Sequence, residues 1–105
     1  MITQEQIQTY VDDVVRKFDP EKVILFGSYA YGTPRTDSDL DLLVMLPFEG
    51  NSIDKSVEIL LATRPRFSID LLARTAQAID YRLEIGDFFM QDVMSKGKIL
   101  YEKIY

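Results

Sequence analysis

Phe26-Gly27-Ser28-Tyr29-Ala30-Tyr31-Gly32-Thr33-Pro34-Arg35-Thr36-Asp37-Ser38-Asp39-Leu40-Asp41-Leu42-Leu43-Val44 is the stretch on which the reading of this chain turns. It opens at the end of Val23–Phe26, a continuous apolar run of the kind found in strands covered on both faces. Gly27 lets the backbone turn sharply and approach a ligand. Ser28 is a favourable N-cap, so the peptide N–H groups after it are expected to face a phosphate. Asp39 and Asp41 lie two apart at the start of the next apolar run. The side-chain period of a strand puts both carboxylates on one face, with Leu40 and Leu42 turned to the core. Such carboxylates repel each other unless a cation lies between them. Hard oxygen ligands favour Mg²⁺, which typically also takes substrate phosphate oxygens.

Composition narrows the chemistry. With 105 residues, 47% hydrophobic and 28% charged, the chain is expected to form a single domain over 1–105, soluble and of ordinary make-up. No signal peptide or membrane span is visible, so the cytoplasm is the default location. Twelve Lys and Arg against seventeen Asp and Glu give a net charge of −5, without a basic stripe. Direct nucleic-acid binding is therefore not expected, since it needs cations to displace counterions. There is no Cys and no His. That excludes disulfides, thiolate metal sites, a Ser-His-Asp triad and most zinc sites. Carboxylates, hydroxyls, amides and a metal remain.

Along the chain, Thr3 and Gln6 fit a capping box. Ile7, Tyr10, Val11, Val14, Val15 and Phe18 then recur at helical spacing until Asp19-Pro20. Lys22 to Phe26 reads as the first strand. A short helix starts at Ser28 and ends near Gly32, and a loop of turn formers covers Thr33 to Ser38. Leu40 to Leu46 is the second strand. Ser52 reads as the cap of a helix carrying Ile53, Val57, Ile59, Leu60 and Leu61, closed by Arg64-Pro65. Phe67 to Leu72 is the third strand, with Ser68, Asp70 and Leu72 on one face. An aspartate inside an otherwise apolar strand is costly unless paired, hydrogen-bonded or metal-bound, which makes Asp70 a natural third carboxylate. From Thr75 the chain reads as helical with a break near Gly86. Asp87 to Met94 forms a second piece whose Phe88, Phe89, Met90, Val93 and Met94 suit either a core or a partner face. Ile99 to Tyr101 reads as a last short strand. Strands alternating with helices give an α/β or α+β fold with a mixed sheet flanked by helices.

Gly27-Ser28, ten residues, then Asp39-Leu40-Asp41 resembles the signature of the polymerase-β-like nucleotidyltransferases. The likeness is greatest to the minimal nucleotidyltransferases, often antitoxins that act on a small helical HEPN-domain toxin. The resemblance implies a polymerase-β-like core with Gly27 and Ser28 cradling the nucleotide phosphates. It also implies two Mg²⁺ ions on Asp39, Asp41 and Asp70, with Asp70 helping to deprotonate the attacking hydroxyl. One position departs from the pattern: many minimal members read Gly-Ser-Tyr-Ala-Arg-Gly, whereas here Tyr31 replaces the arginine. A cation near the phosphates is missing there, and Arg35 is the nearest basic residue in sequence. Tyr29 and Tyr31 read as packing or rim residues, and Asp37 as a turn former.

The activity implied is transfer of NMP, with ATP as the expected donor, to a hydroxyl. The expected acceptor is a tyrosine of a partner HEPN toxin, silenced by the added AMP. No room is expected for an acceptor-binding domain, so the acceptor would come from a partner or another subunit, as a homo- or hetero-oligomer. Two other readings fit parts of the sequence. One is a non-catalytic antitoxin that neutralises its partner by burying a surface. The other is a glycosyltransferase, whose Asp-x-Asp pair also binds sugar nucleotides through a metal, although the Gly-Ser turn argues against it.

Overall fold

The capping box forms as read. Gln6 N–H donates to Thr3 Oγ1 at 3.1 Å and Thr3 N–H to Gln6 Oε1 at 2.8 Å. This opens helix α1 (Gln4–Phe18) in the computed structural model, which describes residues Met1–Tyr105. Ile7, Tyr10, Val11 and Val14 are its buried stripe, and the helix stops where Asp19 turns left-handed before Pro20. The elements that follow are β1 (Lys22–Phe26), α2 (Ser28–Tyr31), β2 (Leu40–Met45) and α3 (Ser52–Thr63). After them come β3 (Ile69–Arg74), α4 (Ala76–Glu84), α5 (Phe88–Lys96) and β4 (Lys98–Glu102).

The four strands form one sheet in the order β3-β2-β1-β4. β1 is antiparallel to both β2 and β4, whereas β2 and β3 run parallel, so the sheet is mixed. The parallel pair requires a crossover, and α3 supplies it. β1 and β2 occupy the centre, which explains why Val23 to Phe26 and Leu42 to Leu46 are apolar without alternation and buried throughout.

Each face has its own core. Val23, Leu25, Leu40, Leu42, Val44, Leu71 and Ala73 pack with α1 and with Ile59 of α3. On the opposite face, Ile24, Phe26, Leu43 and Met45 pack against Ile79 of α4 and Met90 and Val93 of α5. The edge strand β3 is tied to its crossover helix by Ser56. The Ser56 hydroxyl donates to the Ser52 carbonyl at 2.7 Å and accepts the Ala73 N–H at 3.0 Å, satisfying an outward amide of the edge strand. Gly97 marks where α5 meets β4. A Cβ there would come within 2.7 Å of Ile24 Cγ2.

One expectation shifts, and two readings that the sequence leaves open are resolved. Asn51, not Ser52, caps α3, accepting the Asp54 N–H at 2.8 Å. Of the apolar residues of α3 only Ile59 is fully buried, and Ile53, Val57 and Leu61 line its exposed side. The physical reason is that Ser56 and Thr63 take inward places, Thr63 bonding to the Tyr10 hydroxyl at 2.7 Å. The aromatic-rich α5 divides: Met90 and Val93 are core, Phe88 and Phe89 are exposed.

Candidate active site

The turn after β1 is set by backbone geometry. Gly27 has φ 73° and ψ −159°, a region open essentially only to glycine. Gly27, rather than Ser28, is the N-cap of α2, and no side chain caps that helix. This corrects the expected capping role of Ser28, which becomes the first helical residue. The reason is that the chain reverses one residue earlier than a serine cap requires. The Ala30 and Tyr31 N–H groups both bond to the Gly27 carbonyl, at 3.0 and 3.2 Å. The N–H groups of Ser28 and Tyr29 have no acceptor within the helix. Gly32 closes the single turn in the left-handed conformation, as expected.

Asp41 lies directly against this turn. A Cβ built on Gly27 would overlap the Asp41 carboxylate, falling 2.9 Å from its Cγ. Asp41 is the antiparallel partner of Phe26 and the parallel partner of Asp70. Register partners on neighbouring strands lie about 4.8 Å apart and project to one face. Asp41 and Asp70 are therefore adjacent on the α4–α5 face, at the end where β1 stops. Asp39 lies one residue before β2 on the exposed loop end, and its charge reaches Asp41.

Burial pushes the Asp41 carboxyl above the usual carboxylate range, and the negative charges of Asp70 and then Asp39 push it in the same direction. Carboxylates about 5 Å apart repel by roughly 1 kcal/mol in water and about 3 at the effective dielectric of a protein surface. That is enough to favour a cation between them and too little to unfold the chain. None of the three aspartates accepts a hydrogen bond or pairs with Lys or Arg. Hard oxygen donors left without other partners fit a divalent cation. Even so, no three carboxylates converge tightly enough to form a ready-made metal cluster.

Asp70 is exposed, at the second residue of edge strand β3. The sequence argument from a costly buried aspartate therefore fails, because the strand is at the edge and its mouth is open. The position on the shared face follows from register instead. Tyr31 is 48% exposed on α2, and Arg35 is exposed in the loop, its backbone N–H bonded to Ser38 Oγ at 2.8 Å. The largest recesses lie elsewhere. One of about 690 Å³ runs between α1 and the α3–β3 connection, past Tyr10, Arg16, Arg64 and Phe67. Another of about 770 Å³ opens between α1, α2 and β4, past Ile7, Tyr29, Pro34 and Lys98. Neither is lined by the three aspartates, whose face is open to solvent.

Residues 5–104 match the family model described as polymerase beta, nucleotidyltransferase. A Methanocaldococcus jannaschii protein named "Putative protein adenylyltransferase MJ0141" is 30% identical over 95 residues, 89% of this chain and 93% of the relative. Among solved structures, a putative nucleotidyltransferase from Sulfolobus solfataricus superposes with TM-score 0.63 at 20% identity, over 94% of this chain and 79% of that one. The toxin–antitoxin pair MntA–HpeT, as a D39E/D41E mutant, contains a chain that superposes with TM-score 0.60 at 23% identity. There 91% of this chain and 73% of that one are covered. The two structural likenesses concern the fold alone. The chain belongs to the polymerase β nucleotidyltransferase family.

Proposed function

We propose that this nucleotidyltransferase-family chain moves AMP from ATP to a protein hydroxyl, a tyrosine of a HEPN-type toxin, and so acts as an antitoxin. The observation that carries the reading is the register pair of Asp41 with Asp70 beside the glycine turn. The protein adenylyltransferase name of the relative and the toxin–antitoxin context of the solved pair support it. In that pair two aspartates spaced two apart were exchanged for glutamate, the spacing of Asp39 and Asp41 here.

In this reading the Ser28 and Tyr29 N–H groups and the Gly27 turn hold the triphosphate tail. Asp39, Asp41 and Asp70 are the residues that would hold divalent cations. Bound there, Mg²⁺ supplies neutralising charge for the triphosphate and the acceptor. The acceptor oxygen forms a bond to the α-phosphorus as the bond from that phosphorus to the bridging oxygen breaks, and pyrophosphate leaves. The hydroxyl proton passes to a carboxylate, for which exposed Asp70 is the candidate, and from there to water. Such a transfer rests on positioning and charge neutralisation, so a small set of residues suffices.

Transfer of label from ATP to the purified partner in Mg²⁺ tests the reading. Asp41→Ala, shown to be folded, is expected to lose at least a hundredfold in rate. Transfer at the wild-type rate by that variant would refute the assignment. A second reading, the non-catalytic antitoxin, is favoured by the absence of a preassembled metal cluster and by Tyr31 in place of arginine. Mg-ATP raises the unfolding temperature of a competent site and leaves an inert one unchanged.

A further inference from the structure

Phe89 leans on the candidate active site through Phe26. Their rings meet edge-on with centroids 5.6 Å apart and planes at 85°. Phe26 is the strand partner of Asp41 and projects to the same face. The corner between α4 and α5 is thus one aromatic ring removed from the carboxylates. That corner is not closed over. Ile85 is 56% exposed, Phe88 83% and Phe89 50%, although Met90 on the same helix turn is buried. The three lie within five residues of chain, and apolar side chains exposed together in this way mark interaction surfaces.

The charge around the corner selects the occupant. α4 and α5 carry Asp80, Glu84 and Asp92, and Asp87 lies between them. The basic side chains there are engaged, Arg82 with Asp87 at 3.6 Å and Lys96 with Asp92 at 3.5 Å. Asp80 and Glu84 stay unmatched, and Asp39, Asp41 and Asp70 add to the same sign beyond Phe26. A second copy of this chain docking here would set acid against acid, which disfavours it. An anionic surface would be repelled in the same way. A basic partner gains from both components, the apolar centre and the acidic rim.

We propose that Ile85, Phe88 and Phe89 form the docking surface for the acceptor protein. The acceptor presents an apolar segment flanked by Lys or Arg and so brings its hydroxyl over the adjacent carboxylates. This rests on the nucleotidyl-transfer reading above. It adds which surface selects the acceptor and by what chemistry.

The test uses two synthetic tyrosine peptides as probes, one with leucines and lysines around the tyrosine and one with glutamates replacing the lysines. Incorporation of labelled AMP is measured with the wild-type chain and with Phe88→Ser. That site is exposed enough for the fold to tolerate the change. Thermal stabilisation by Mg-ATP is measured on the same samples. The wild type is expected to modify the basic peptide at least tenfold more efficiently than the acidic one. Phe88→Ser should lose about tenfold in kcat/KM, the scale of one buried aromatic contact. The loss should fall on the peptide KM, with stabilisation by Mg-ATP unchanged. If Mg-ATP stabilises the wild type but labelling ignores peptide charge or ignores Phe88→Ser, the docking surface is refuted and the transferase reading stands. If Mg-ATP stabilises it but labelling is absent on both peptides, the docking surface is refuted and the nucleotide-binding part of that reading stands. A wild-type dimer that Phe88→Ser dissociates in sedimentation would also overturn it, by naming a second copy as the occupant. With neither stabilisation nor labelling, both fall together.

Discussion

Replacing Gly27 with alanine separates two roles of one residue. At φ 73° and ψ −159° the backbone of Gly27 lies where side chains other than hydrogen are strained by about 1–3 kcal/mol. The new Cβ would also overlap the Asp41 carboxylate, 2.9 Å from Cγ and 3.3 Å from Cβ. The carboxylate is the free end of a half-buried side chain, so it can rotate away at little cost in stability. The destabilisation should therefore come from the backbone, and the loss of activity from the displaced Asp41. A drop of about 1–3 kcal/mol in urea denaturation is expected, with the unfolding temperature falling about 4–8 °C for each kcal/mol in a domain near this size. Adding Asp41→Ala to Gly27→Ala should restore less than about 0.5 kcal/mol, because the overlap contributes little. Nucleotidyl transfer, assayed well below the unfolding midpoint, should fall by more than the folded fraction accounts for. A variant within about 0.5 kcal/mol of wild type would refute the backbone argument. Wild-type activity in the folded fraction would refute the placement of Asp41.

Asp41 also imposes a pH dependence on the metal-free protein. Its pKa is raised in the native state, first by burial and then by the charges of Asp70 and Asp39. The native state thus keeps a proton that the unfolded chain releases. Stability is undiminished below the unfolded pKa and declines as pH rises through the folded pKa. In EDTA, Asp41→Asn should raise the urea midpoint at pH 7 and leave it nearly unchanged at pH 3, and equal shifts at both would contradict the assignment. Leu43, fully buried beneath α4 and α5, should cost about 2–5 kcal/mol when cut to alanine. Leu61, 70% exposed on α3, should cost under about 0.5 kcal/mol. Parity between the two alanine variants in chemical denaturation would show that the second core is misassigned.

Much of this molecule is written in local signals. The capping box at Thr3, the apolar runs of β1 and β2, and the left-handed Gly32 each follow from a few adjacent residues. What the sequence leaves open is set by distant partners. The cost of burying a carboxylate points to Asp70, yet the residue is exposed at an edge. It comes beside Asp41 because β3 pairs in parallel with β2 in a register no local pattern encodes. The exposed stripe on α3 and the divided aromatics of α5 have the same origin. A short helix rich in Phe, Ile and Leu reads alike whether its neighbours cover it or not. The N-cap of α2 lies one residue before the serine that local sequence favours, since a glycine at φ 73° can reverse the chain without help from a serine hydroxyl.

The ladder between β2 and β3 fixes more than a distance. On the face shared with α4 and α5 its rungs are 41/70, 43/72 and 45/74, and the helices roof the second through Leu43 and Leu72. The first rung is the one that carries an exposed side chain, Asp70. Sliding β3 by two positions so that Asp70 faced Leu43 would keep the facing but carry a carboxylate under the roof. Sliding it by one would turn Asp70 toward α1 and α3. The spacing between the two strands is thereby locked, and a one-residue insertion in the Arg64–Ser68 connection is harmless only if the connection itself absorbs it.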